Sequence, residues 1–95
     1  MGDAQSITQY SLTEDALTQM ARRHIDPDLV KQVLAAPEQT ELDREGREIY
    51  QSRFEKDEPP RTYLLRVFVD VDRTPPEVVT VYLTSKVKKY WRVDP

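Results

Sequence analysis

Two stretches of alternating side chains dominate the chain. Over residues 61–71 an extended backbone would place Tyr63, Leu65, Val67, Val69 and Val71 on one face and Leu64, Arg66, Phe68 and Asp70 on the other. Over residues 77–84 the same period separates Val79, Val81 and Leu83 from Val78, Thr80, Tyr82 and Thr84. Each strand so defined has one wholly apolar face and one mixed face. Residues 72–76 supply the turn between them, because the proline pair there cannot lie inside a central strand.

The apolar faces need a cover, and helical spacing upstream provides it. Ala16, Leu17, Met20 and Ala21 form one stripe, preceded by two alternative caps, Ser11 and Thr13, with Glu14 and Asp15 in the first turn and a helix end near Arg23 and His24. Asp26 followed by Pro27 is a second helix start, and Leu29, Val30, Val33 and Leu34 repeat the stripe until Pro37 stops it. Residues 39–43 and 47–54 read as a charged hairpin turning at Gly46, expected at a sheet edge. Residues 55–60 form a charged, proline-broken loop, residues 7–10 suggest a short first strand, and residues 1–6 are read as disordered. The expected architecture is one α+β domain over residues 1–95, with two N-terminal helices packed on one face of a mainly antiparallel four-stranded sheet. Its core should bring Leu17, Met20, Val30, Val33 and Leu34 against Leu65, Val67, Val69, Val79, Val81 and Leu83.

Composition narrows the function classes. Ninety-five residues suffice for one modest core and leave no room for a cofactor site between two lobes. There is no cysteine and one histidine, so thiolate chemistry and a His-rich metal site are excluded, and no cofactor or metal is expected. The first residues carry no basic and apolar leader pattern, and no apolar run approaches membrane-spanning length, so the expected location is the cytoplasm without membrane contact. The net charge of −3 hides an asymmetry: residues 1–60 hold 7 Lys or Arg against 13 Asp or Glu, and residues 61–95 hold 7 against 4.

Three stretches together resemble a bacterial domain-of-unknown-function family, number 4258: residues 15–25 (DALTQMARRHI), residues 33–37 (VLAAP) and residues 81–90 (VYLTSKVKKY). The family's first helix follows a pattern similar to His-Ala-x-x-Arg-Met, and here Asp15 stands at the His position and Gln19 at the Arg position. The layout of two helices, antiparallel strands and a basic aromatic ending is similar to toxins of the RelE, ParE and BrnT type. That resemblance implies a small intracellular bacterial protein, either a toxin directed at RNA or the ribosome that cleaves RNA without a metal or a relative that has lost activity, with a cognate antitoxin as protein partner. A fold does not fix a function, so the residues must carry the argument.

Metal-independent RNA cleavage requires a base for the 2′-hydroxyl, cations for the charge growing on phosphate and an acid for the leaving oxygen. Lys86, Lys88, Lys89, Tyr90 and Arg92 concentrate such groups, with Trp91 available to stack on a base. Tyr90 and Lys86 form the candidate catalytic pair, because a neighbouring ammonium favours the phenolate. Lys88, Lys89, Arg92, Arg66 and Trp91 are the candidate RNA and phosphate contacts. The competing reading is structural: the lysines solubilise an edge, Val87, Tyr90 and Trp91 pack the chain end onto the core, and Arg66 covers apolar surface with its stem. His24 reads as an exposed helix-end residue, and Arg47 and Arg53 as solvated unless they face the tail. The alternative function is a non-catalytic module binding another protein by a sheet edge or the mixed face.

Overall fold

The computed structural model describes residues 6–93. It is an α+β fold with β1 (Ser11–Leu12), α1 (Glu14–Arg22), α2 (Pro27–Ala35), β2 (Gln39–Leu42), β3 (Glu48–Lys56), β4 (Arg61–Asp70), β5 (Glu77–Thr84) and α3 (Val87–Tyr90). The sheet has five strands in the order β1-β5-β4-β3-β2, not four, and it is mixed because β1 runs parallel to β5. The first strand is Ser11–Leu12 and not residues 7–10. Ile7 instead plugs the core, buried, with its amide donating to the Leu34 carbonyl at 2.9 Å. The expected disorder of residues 1–6 falls, for residues 1–5, outside the described residues, and Ser6 is exposed.

Thr13 is the cap of α1: its hydroxyl accepts from the Ala16 amide at 3.1 Å and donates to the Val79 carbonyl at 3.1 Å, so one side chain starts the helix and pins it to β5. Asp26 caps α2 by accepting from the Asp28 amide at 2.9 Å, with Pro27 in the first turn. The two helices cover one face of the sheet, where Ala16, Met20, Ile25, Val30, Val33 and Leu34 meet Tyr50, Leu65, Val67, Val69, Val81 and Leu83. Leu17, expected in this core, is 49% exposed, because the α1 stripe is centred on Ala16 and Met20.

Val79 is a second correction. A register shift lies between Phe68 and Val69, so that Phe68 pairs with Thr80 while Val69 pairs with Val78. The extra residue is Val79, and beyond it the alternation changes phase: Val78 is fully buried in the core and Val79 is half-buried. The charged hairpin is also only half at the edge. β2 is the edge strand, whereas β3 lies between β2 and β4, paired with β2 at four positions and with β4 at nine. Gly46 closes that hairpin at φ 85, with the Asp43 carboxylate accepting from the amides of Glu45 and Arg47 at 2.8 and 2.9 Å.

The face opposite α1 and α2 is not bare. It buries Ile49, Gln51, Leu64, Arg66 and Thr84, and the chain end crosses it as the one-turn helix α3.

Candidate functional site

The register of β2, β3 and β4 assembles this second face. Gln39 pairs with Gln51 and Gln51 with Arg66, so three long polar side chains stand in a row across three strands. The Arg66 guanidinium donates to Gln51 Oε1 at 3.0 Å and to the Glu41 carboxylate at 2.7 Å. Gln51 Nε2 passes the chain on to Gln39 Oε1 at 2.9 Å. Among the described residues no buried side-chain polar atom lacks a partner. A buried cation is tolerated in a small domain only with such compensation.

The tail is tied to this row through its backbone and its rings. Gln51 Nε2 donates to the Tyr90 carbonyl at 3.3 Å, Gln39 Oε1 accepts the Arg92 amide at 3.1 Å, and Gln39 Nε2 donates to the Arg92 carbonyl. The Gln39 amide thus pairs with a peptide group as a neighbouring strand would. Tyr90 lies over Arg66, with the guanidinium carbon 4.3 Å from its ring centroid. Trp91 lies over Arg53 at 3.9 Å, and Arg53 is itself held by Glu38, which accepts from its Nε at 3.1 Å, its Nη2 at 3.3 Å and its backbone amide at 2.8 Å. That arginine hydrogen bond keeps the Glu38 carboxyl below its usual range, partial burial opposing it.

Beside α3 opens a groove of about 760 Å³ lined by Arg53, Thr62, Lys86, Lys88 and Trp91. Lys86 precedes α3 with its amide on the Thr84 hydroxyl at 3.0 Å. Lys89 takes the other flank, its ammonium 5.4 Å from the Tyr90 ring centroid. Tyr90 also meets Tyr82 edge-on at 5.8 Å.

The candidate residues therefore divide. Lys86, Lys88 and Trp91 gather at the groove, while Lys89 and Tyr90 gather around Arg66 and Tyr82. Arg92 is fixed by its backbone to Gln39. Arg66 is buried and ion-paired, so a phosphate would have to displace Glu41 to reach it. Tyr90 and Lys86 lie four residues apart but line different surfaces. Sequence reasoning missed Gln39, Gln51, Glu38 and Glu41. The period-two spacing of Gln39 and Glu41, on the face that Gln51 shares, would have found those three once β3 was placed beside β4, whereas Glu38 precedes β2 and is out of phase with them.

Among the described residues no group of three or more His, Asp or Glu is placed to hold a metal ion. No helix there is long and apolar enough to cross a membrane. No protein-family model, no curated protein and no solved structure matches the chain.

Proposed function

We propose that this chain is a small cytoplasmic protein of the toxin-like class that binds single-stranded RNA, free or on the ribosome, through the groove beside α3. The observation that carries the reading is Trp91 backed by the Arg53 guanidinium at 3.9 Å on the wall of a groove that also holds Lys86 and Lys88. An aromatic ring fixed in place accepts a base at little entropic cost, and ammonium groups on the same wall meet the backbone. Neither lysine has an acidic partner among the described residues. The resemblance of residues 15–25, 33–37 and 81–90 to family 4258, and the likeness of the overall layout to toxins of the RelE, ParE and BrnT type, are what the toxin-like part of this reading and its cognate antitoxin partner rest on. Cleavage by Tyr90 and Lys86 would require one hydroxyl to reach two surfaces at once, so the proposal rests on binding and not on turnover.

The test is the salt dependence of binding to a labelled single-stranded RNA oligonucleotide, read by anisotropy. Binding should weaken steeply with salt, and neutralising Lys86, Lys88 and Lys89 together with glutamine should flatten the log–log slope by about 2, at roughly 0.7 per lost phosphate contact. A triple variant that binds as the parent does would remove the RNA reading. It would leave the protein-binding alternative, which one observation favours: β2 is an edge strand and its Leu42 is 67% exposed.

A further inference from the structure

The Trp91 ring on the groove wall is placed by its two neighbours in the chain. α3 buries none of its residues, and Trp91 follows it in extended backbone, φ −77 and ψ 125, so packing of the helix does not fix the ring. Gln51 Nε2 donates to the Tyr90 carbonyl at 3.3 Å. Gln39 takes the Arg92 backbone at both its polar groups, Oε1 accepting from the amide at 3.1 Å and Nε2 donating to the carbonyl. The backbone is thus held by the sheet immediately before and immediately after Trp91, while the ring itself rests on Arg53 at 3.9 Å.

The polarity of these bonds is set from inside the protein. Arginine donates and never accepts. Arg66, only 8% exposed and ion-paired to Glu41 at 2.7 Å, donates to Gln51 at 3.0 Å, so Gln51 must present Oε1 to it and turn Nε2 toward the tail. That Nε2 donates to Gln39 Oε1 at 2.9 Å, which leaves Gln39 Nε2 to meet the Arg92 carbonyl. Turning the Gln39 carboxamide over would set its NH2 against the Gln51 NH2 and the Arg92 amide, three donors with no acceptor between them. Through two carboxamides, the buried arginine therefore selects the one arrangement in which the chain end can dock.

We infer that Gln39 is a positioning residue for the groove: with Gln51 it clamps the chain on both sides of Trp91 and so presents the ring as a fixed platform. Arg66 acts through the same clamp as its orienter and not as a phosphate contact. Gln39 does not line the groove, so its effect on a ligand there is indirect. A tail that is not clamped must be ordered at the moment of binding, and that cost is subtracted from whatever stacking contributes. The ligand for which the platform is set rests on the RNA reading, whereas the clamp does not.

The experiment compares the parent with Gln39→Glu, which keeps the shape and the acceptor but has no donor for the Arg92 carbonyl, and with Gln39→Met, which has neither. Gln39 is half-buried on the edge strand, so both variants should keep the parent's far-UV circular dichroism and melt close to it. Trp91 is the one tryptophan, so its quenching by acrylamide reports the platform directly. In both variants quenching should be more efficient, and affinity for a labelled single-stranded RNA oligonucleotide should fall by about five- to a hundredfold. A merely structural role would lower the melting temperature and leave the quenching of the folded protein unchanged. Quenching equal to the parent's in both variants would overturn the clamp. More efficient quenching with unaltered RNA affinity, or with no RNA binding by the parent, keeps the clamp and retires the RNA reading.

Discussion

His24 shows how a single residue can be retained at a conformational cost. It adopts φ 55 immediately after the α1 cap, where its amide donates to the Ala21 carbonyl at 3.4 Å and the following Ile25 amide donates to the Met20 carbonyl at 2.9 Å. This pair of bonds is a Schellman closure, and the buried contact partners Met20 and Ile25 are its usual apolar companions. The left-handed position normally belongs to glycine, since a side chain there costs about 1–2 kcal/mol. His24→Gly should therefore stabilise the fold by roughly 1 kcal/mol and raise the melting temperature by about 4–8 °C. A lower melting temperature would show that the imidazole itself makes a contact worth more than the relieved strain.

At the scale of the element, α3 is held without burying any of its own residues. Its anchors are the Gln39 and Gln51 amides and two ring–guanidinium contacts, each worth on the order of 0.5–2 kcal/mol. One of those contacts is pH-dependent through Glu38. Because the folded-state pKa of Glu38 is depressed, the clamp on Arg53 is present above the ordinary glutamate pKa and is lost as pH falls through the folded value. Glu38 is 41% exposed, so the stability effect is screened and small, but its spectroscopic effect is not. Trp91 is the one tryptophan in the chain. Its fluorescence should change on acidification below the usual glutamate range while the secondary structure persists, and Glu38→Gln should remove that transition. An unchanged transition in that variant would mean that Glu38 does not govern the Trp91 platform.

For the whole molecule, stability rests on the layer between the helices and the sheet. Val67 is fully buried at the centre of β4, itself the central strand. Val67→Asp would leave an unpaired charge there, at a cost of several kcal/mol, a large share of the roughly 5–15 kcal/mol available to a domain of this kind. The variant should be unfolded or melt far below the parent by circular dichroism. Leu17→Asp, on a side chain half in water, should cost much less. Equal losses from the two would mean that the helices pack on the sheet by a different face.

The sequence by itself determined α1, α2 and the strands β2 to β5, together with the apolar faces of α2 and β4. The cap at Asp26, the stops at His24 and Pro37, the Gly46 turn and the alternation in β4 are local effects that neighbouring residues dictate through backbone sterics and hydrogen bonding, whereas the choice of Thr13 over Ser11 as the first cap came with its bond to β5. The tail was legible as basic and aromatic for the same reason. Three things were not local. The bulge at Val79 exchanges Val78 for Val79 in the core, and a period count cannot see it because it is set by pairing with β4. The parallel strand β1 depends on a partner more than 60 residues away, because the turn into α1 is pinned to β5 through Thr13. The second face, finally, was read as an open mixed surface, yet Gln39, Glu41, Gln51 and Arg66 meet only after three strands align. Only the tertiary structure could decide that Arg66 is neutralised beneath Tyr90 while Arg53 supports Trp91, since each outcome depends on carboxylates 25 and 15 residues away.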